Sequence, residues 1–560
     1  MTSGKWEIAG YDRPTAVRLY RSGFNALVSV VLASRNISTA EDYERIYSCS
    51  GLVLSDPMTI TDMELAVERV NRAVDDRENI AVFGDYDVDG MTASTILSDY
   101  LRSRGAECIT YIPERLRDGY GLKDELLDRL KELGADLVIT VDCGITAVSE
   151  AKHAQDIGLD LVITDHHQLG EELPDAAAVV NPKRDGAEHP CYELAGVGVA
   201  FKLICALAGA GADEEMLRKY GDLVALGTIA DVMPVLGENR ILIRRGMEAL
   251  RTSPHPGLRA LCKASGFNLN QLNSNSVGFS LAPRINAAGR LGETELSVRL
   301  LRTESEQEAG ELSLRLCELN RHRQTVESEV FEAAMAELPE HPDGPVVVSG
   351  NDWHQGVAGI VASKLAEKCH FPAVVICIKD GIGHGSCRCQ GDFSLVDALQ
   401  SCSDILESFG GHQLAAGLTV KEENIPLLRQ RLGECYRQQG CESYSPSLKI
   451  DFEVMNASIL SEENVEGLSE LEPFGNGNPQ PILCMRSVFV DMVTSLRGGK
   501  ATKLWLRRDG GCFEGMYFNH SAEALDISDG DTIDIVFTPG INEYRGRRSV
   551  QLIIKDYTKK

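Results

Sequence analysis

Four acidic groups, each directly following an apolar run, constrain this chain more than any other feature. Residues 80–83 lead into Gly84-Asp85-Tyr86-Asp87-Val88-Asp89-Gly90, and Leu137–Val141 into Asp142. Residues 159–164 lead into Asp165-His166-His167, and residues 223–230 into Asp231. An α/β sheet presents its functional groups at the ends of such apolar strands. Converging carboxylates repel one another unless cations neutralise them. The pattern predicts a metal site at the carboxyl edge of a sheet.

Asp85, Asp87 and Asp89 are spaced by two, which puts them on one side of an extended or looped backbone. Gly84 and Gly90 bracket them and permit close backbone approach. Thr92 follows near the start of a predicted helix over 93–102, whose N–H groups can also face anions. An EF-hand loop is excluded by the flanking strand and the missing twelfth-position Glu. Carboxylates with one imidazole suit Mn²⁺ or Mg²⁺. Two such ions can activate a water and stabilise the charge developing on a phosphodiester. Neither a Gly-x-Ser-x-Gly elbow nor a Walker-type loop stands out.

With 560 residues the chain exceeds one hydrophobic core, and three or four domains are expected. Residues 1–50 read as a helical lead-in, with apolar spacing through Leu27, Val31 and Leu32. Over 51–238, short β-branched runs alternate with helical segments, as in βαβ units. Residues 239–340 read as a connector, irregular and Asn/Ser-rich around 268–276, then a long polar helix over 300–338. A second α/β segment over 341–445 opens at Pro345-Val346-Val347-Val348, and 446–560 shows short alternating strands with Gly turns, as in a small β-barrel of OB type.

No apolar run approaches the roughly 20 residues of a membrane span, and residues 1–20 lack a signal-peptide core, so a cytoplasmic protein is expected. The 16 scattered cysteines read as free thiols, and Cys387-Arg388-Cys389 lacks the second pair that structural zinc requires. A net charge of −27 confines any polyanion contact to local basic sites.

Asp85-Tyr86-Asp87-Val88-Asp89-Gly90 together with Asp165-His166-His167 resembles the DHH phosphoesterase superfamily. Further runs narrow the resemblance to the RecJ family of single-strand-specific 5′→3′ DNA exonucleases. They include residues 111–115, 118–122, 282–290 (Ala-Pro-Arg-Ile-Asn-Ala-Ala-Gly-Arg), 353–360, Gly410-Gly411-His412, 415–417 and 473–479. This resemblance covers roughly residues 30 to 556. It implies a parallel-sheet DHH domain, a long connecting helix, a second α/β DHH-associated domain and a C-terminal OB-like β-barrel.

The family pattern implies that Asp87 and Asp142 hold one divalent ion, Mn²⁺ or Mg²⁺. Asp89, Asp142, His166 and Asp231 would hold the other, with Asp142 bridging and Asp85 a ligand or supporting group. Asp142, Asp89 and His167 would carry catalysis, His167 contacting the scissile phosphate or orienting the nucleophile. Ser386 and Arg388 align with a phosphate-binding run, which Arg115 could join. Arg284, Asn286 and Arg290 would touch the incoming strand, Tyr120 would stack on a base, and Gly411 and His412 would approach the nucleotide. The barrel residues Lys500, Lys503, Arg507, Arg508, Arg545, Arg547 and Arg548, with Trp505 and Tyr544, read as a single-strand platform.

The implied activity is metal-dependent 5′→3′ hydrolysis of single-stranded DNA to 5′-mononucleotides, in recombination and repair. Its partners would be a 5′ DNA end, a helicase and a single-strand-binding protein, with no membrane. Two other readings stay open: another DHH phosphodiesterase, such as a nanoRNase or cyclic-dinucleotide phosphodiesterase, and a non-catalytic DHH replication scaffold. The first resembles only the first two domains; the second would lose its acidic ligands.

Overall fold

The computed structural model describes residues 5–48, 53–115, 117–119, 121–339, 342–440, 444, 447–496, 501–544 and 546–559. The chain divides into two compact units, both discontinuous in sequence.

In the larger unit (Ser55–Met233 and Arg245–Ser445) a five-stranded parallel sheet runs in the order Cys108–Tyr111, Ile80–Gly84, Leu137–Val141, Asp160–Thr164, Ala178–Val180. Strands Ile80–Gly84 and Leu137–Val141 are buried throughout, which explains their unbroken apolar character. Their register is level, with Gly84 opposite Val141 and Val141 opposite Thr164. Asp85, Asp142 and Asp165 consequently leave the sheet side by side. The expected helices form over Met63–Asp75, Val88–Ser103, Asp124–Glu132 and Val148–Asp156.

Two expectations need correction here. Residues 223–230 are not a strand but the last turns of the helix Asp213–Ala230, so Asp231 reaches the site from a helix C-terminus. A run this apolar does not separate a buried helix from a buried strand. The segment read as irregular also folds into short helices, Pro256–Ala264, Ala282–Arg290 and Thr294–Arg302 among them. Proline lies in the first turn of the first two, where its missing N–H costs nothing. These pack on the helix Glu306–Ala336, which Ser305 caps through the Glu308 amide.

The second sheet of this unit orders as Leu406–Gly411, Ala415–Lys421, Ile382–Arg388, Ala373–Lys379, Val346–Asn351. Only its last pair is parallel. The helix Gln355–Cys369 covers one face, burying Val357, Val361 and Leu365 against Val346, Val348 and Val375.

The smaller unit joins Met1–Leu54, Pro234–Arg244 and Pro446–Lys560. Its six-stranded sheet closes on itself where Leu483–Leu496 pairs with both Ala501–Arg508 and Thr532–Tyr544, giving the expected barrel. The helical lead-in is corrected in one respect: strand Lys5–Ile8 precedes the helices and pairs in parallel with Ser447–Ile450. Leu27, Val28, Val31 and Leu32 are fully buried in one core with the barrel residues Leu483, Leu504, Phe537 and Leu552.

Arg240 lies buried in this unit, over the Tyr47 ring at 5.0 Å. It donates to the carbonyls of Tyr47 (3.0 Å), Pro473 (3.1 Å), Leu471 (3.0 Å) and Glu472 (2.7 Å). Removing the guanidinium takes a donor from four carbonyls at once, three of which keep a second one from Arg244 or Asn478. Arg240→Met should destabilise this unit by about 3 kcal/mol, measurable as an earlier transition in chemical denaturation. An unchanged transition would refute this anchoring role.

Candidate active site

The level strand ends assemble one acidic pocket. Asp85, Asp89, Asp142, Asp165 and His166 are buried there. His166 Nε2 stands 3.1 Å from Asp142 Oδ1, 3.6 Å from Asp231 Oδ2 and 3.9 Å from Asp89 Oδ2. Three overlapping groups could each hold a cation: Asp85/Asp87/Asp142, Asp89/His166/Asp231 and Asp142/His166/His167. Within each group the ligand atoms lie within 4.8 Å of one another. Asp142 is shared by two groups and sits at φ 60°, a left-handed conformation that Asp tolerates.

Local structure explains how so many anions are held. The helix Gly196–Ala208 points its first amides at Asp89, Gly196 N to Oδ2 at 2.7 Å and Val197 N to Oδ1 at 2.8 Å. Gly196 must be glycine, because a Cβ there would lie 2.5 Å from that of Asp142. Asp87 caps the helix Val88–Ser103 by accepting from Gly90 N at 3.1 Å. Asp165 accepts from the amides of Ile145, His166 and His167 and bonds His167 Nδ1 at 2.8 Å. It acts as a bracket behind the pocket. The helix start at Gly196-Val197 escaped the sequence reading; its signal is the glycine pair Gly196 and Gly198 opening an apolar helical run.

Burial, then mutual repulsion, pushes the carboxyls of Asp85, Asp89 and Asp142 well above the ordinary carboxylate range. Burial and the Asp87 charge raise Asp231 to about 7. Burial and the neighbouring His167 depress His166 to about 3, leaving it neutral. Asp85 Oδ1, Asp142 Oδ1 and both ring nitrogens of His166 are buried without hydrogen bonds. Neutral imidazole and unsatisfied carboxylate oxygens are the donors that a hard divalent cation requires, so these residues fit Mn²⁺ or Mg²⁺.

Beside the pocket lies a cleft of about 750 Å³ whose lining includes Tyr86, Arg115, Lys123, Ser386, Phe409 and Gly410. Tyr86, between two of the acidic residues, lies under the Arg115 guanidinium at 5.1 Å. Arg388 and Ser386 face Gly359 of the helix Gln355–Cys369; a Cβ there would be 3.2 Å from Arg388 Nη2 and 3.9 Å from Ser386 Oγ. Arg290 donates to the Gly356 carbonyl of the same helix at 3.2 Å. Burial and then Arg115 and Arg323 lower Arg290 to about 10, and burial with Arg115 also lowers Arg388. Arg290 and Arg388, both lowered and bonded only to carbonyls, mark a site suited to an anion.

Other expected residues lie elsewhere. Arg284 bonds the Ser280 carbonyl and lines a separate cleft with Phe279 and Arg321. Asn286 is half-buried on the helix Ala282–Arg290. Gly411 (φ 140°) and the exposed His412 form a hairpin in which His412 N donates to Ala415 O at 2.7 Å. Tyr120, Lys500, Arg545 and the Tyr544 side chain fall outside the described residues. On the barrel, Lys503 pairs with Glu514 (2.6 Å), Arg507 with Asp491 (2.9 Å), Arg508 with Asp509 (3.2 Å) and Arg548 with Glu466 (2.7 Å). Trp505 carries Lys503 over its ring at 4.6 Å. The expected platform is therefore less cationic than its sequence suggests.

Burial alone would depress His167, but the hydrogen bond and charge of Asp165 outweigh it and raise the imidazole to about 9. In metal-free protein its charge thus favours the folded state below the unfolded value near 6.5, and that contribution disappears as pH rises through about 9. In Asp165→Asn burial is opposed only by the charges of Asp231 and Asp85, and His167 should titrate well below its wild-type value by NMR. A His167 titration unchanged by this substitution would exclude the bracket.

Three family models match the chain: the DHH family N-terminal domain over residues 79–228, the DHHA1 domain over 343–438 and the RecJ OB domain over 450–556. A single-stranded-DNA-specific exonuclease RecJ of Bacillus subtilis is 38% identical, over 99% of this chain and 70% of that protein. The Escherichia coli protein of the same name is 34% identical, over 94% and 95%. A crystal structure of RecJ in complex with Mn²⁺ from Thermus thermophilus matches with TM-score 0.84 and 28% identity, over 99% of this chain and 80% of that one. A second, exonuclease RecJ bound to manganese, matches with TM-score 0.62 and 34% identity, over 70% and 97%. On the strength of this full-length similarity and of the acidic pocket it frames, the chain belongs to the RecJ family of single-stranded-DNA-specific exonucleases.

Proposed function

We propose that the chain is a single-stranded-DNA-specific exonuclease that hydrolyses phosphodiester bonds from a 5′ end and releases 5′-mononucleotides. One observation carries this reading: Tyr86 belongs to the acidic run and also lines the arginine-bearing cleft. A terminal phosphate held by Arg115, Ser386 and Arg388 would sit beside the pocket, which favours cutting near an end.

Asp87 and Asp142, with Asp85, would hold one divalent ion, and Asp89, Asp142, His166 and Asp231 the other. Ions bound there lower the pKa of a water and neutralise charge building on the phosphate. Asp89 is fixed in position by the Gly196 and Val197 amides. Neutral His166 offers a lone pair, and His167, protonated and oriented by Asp165, donates from Nε2 to a phosphate oxygen. Arg290, Asn286 and Arg284 would guide the strand, with Tyr120 stacking on a base and Gly411 and His412 near the nucleotide.

A substrate that must be single-stranded requires a preceding strand-separating reaction, so a helicase and a single-strand-binding protein are the expected partners in recombination and repair. The expected compartment is the cytoplasm, where such DNA lies; among the described residues no helix is long and apolar enough to cross a membrane.

Asp142→Ala should abolish hydrolysis of labelled single-stranded DNA at saturating Mn²⁺, because the shared carboxylate is lost from both groups. Its metal-free melting temperature should hold or rise, since a buried repulsion disappears. Activity above a few per cent of wild type removes the bridging assignment. Arg388→Ala should weaken 5′-phosphorylated substrates by about 1.5–3 kcal/mol, or about 10- to 150-fold, and 5′-hydroxyl ends far less. Equal losses on both ends rule out Arg388 as the end sensor.

A further inference from the structure

The parallel sheet carries a cation just beyond each of its edge strands. Cys108–Tyr111 at one edge leads to Arg115, and Ala178–Val180 at the other leads to Lys183. Val180 pairs with Thr164, and Asp165 N donates to the Val180 carbonyl at 3.0 Å. Residues 181–183 therefore leave the sheet beside Asp165-His166-His167. Asn181, fully buried, ties the two segments together. Its Nδ2 donates to the His167 carbonyl at 3.0 Å, and its Oδ1 accepts from Lys183 N at 2.9 Å.

The turn Pro182–Asp185 is pinned beyond Lys183 as well. Arg184 donates to Asp62 Oδ2 at 2.6 Å, and Asp185 Oδ2 accepts from Thr61 N at 3.2 Å. Arg184 is thereby neutralised, whereas no carboxylate pairs with the half-buried Lys183 among the described residues. The Lys183 ammonium rests over the Tyr192 ring at 4.5 Å, with Nζ 3.5 Å from the Tyr192 carbonyl. Neither contact cancels its charge, and a bond that long is readily exchanged for an anionic acceptor. The charge reaches the acidic pocket. At Asp231 it acts after burial and Asp87, and at His166 after burial and the two neighbouring groups His167 and Asp165. Arg115 acts on Asp85 instead, after burial and Asp87. The two cations thus approach the acidic cluster from opposite sheet edges.

A terminal phosphate seated at Arg115 puts the scissile phosphate over the carboxylates, towards Lys183. As hydroxide adds to phosphorus, negative charge grows on the non-bridging oxygens, and a cation fixed nearby is worth most at that moment. We propose that Lys183 is a catalytic residue, whose ammonium turns from Tyr192 to donate to a non-bridging oxygen of the scissile phosphate. The inference rests on the exonuclease reading above. Lysine acts here as a point charge on a flexible stem, so it follows the oxygen as the phosphorus inverts. It stays protonated throughout and transfers no proton.

The test uses the full chain with Lys183→Met, which keeps an apolar stem over Tyr192 and removes the charge. On labelled single-stranded DNA with Mn²⁺, kcat should fall about ten- to a thousandfold while KM changes less than about threefold. Calorimetry of Mn²⁺ binding without DNA separates a lost charge from a damaged site. Taking a cation away from the ligands should leave Mn²⁺ affinity equal or raise it by up to about fivefold, whereas a distorted pocket binds more weakly. A smaller fall in kcat, a loss confined to KM, or weakened Mn²⁺ binding overturns the assignment. A wild-type chain that binds Mn²⁺ but hydrolyses no single-stranded DNA defeats the exonuclease reading. Turnover of bis(p-nitrophenyl) phosphate then tests Lys183 separately, against the same fall in kcat.

Discussion

Gathering the carboxylates of Asp85, Asp87, Asp89, Asp142 and Asp231 around one buried imidazole is the constraint to which the larger unit answers. No arrangement of the chain alone neutralises that charge. Two amides from the helix starting at Gly196 soften it at Asp89, and His167 with Asp165 forms a self-contained pair behind it. The remainder is left as protonated carboxyls or as charge awaiting cations. Metal binding must therefore release protons, and the rigidity of the site is set by backbone: level strand ends, a left-handed Asp142, and a glycine where any side chain would collide.

Much of this was legible in sequence because strand and ligand are adjacent there. An apolar run followed by Asp places the carboxylate at a sheet edge whatever the topology, which is why Asp85, Asp142 and Asp165 fell where expected. Asp231 was placed in the site by the apolar run before it but on the wrong element, since a buried helix end loses the periodicity that would reveal it. The amides of Gly196 and Val197, and the convergence of Arg115, Arg290 and Arg388, depend on contacts between residues far apart in the chain. No local pattern announces such meetings. Arg240, the most deeply anchored arginine of the smaller unit, was missed for the same reason.

Charge counting misled in one place and helped in another. The barrel's lysines and arginines read as a cationic surface, yet several are locked to carboxylates, so their sequence count overstates the field they project. Arg284, Arg290 and Arg388 of the larger unit bond instead to carbonyls, which do not cancel charge. In a strongly acidic protein the second kind decides where a polyanion settles.

The discontinuity of the smaller unit has a consequence for synthesis. Its apolar helix Ala26–Ser34 is made long before the barrel strands that bury Leu27, Val28 and Leu32. At about 5–20 residues per second, that helix waits on the order of half a minute for its core to exist. During that interval a greasy segment is solvent-exposed on a chain still attached to the ribosome. Early association with a chaperone, and sensitivity to anything that stalls translation before the last strands, are built into the way this chain is threaded.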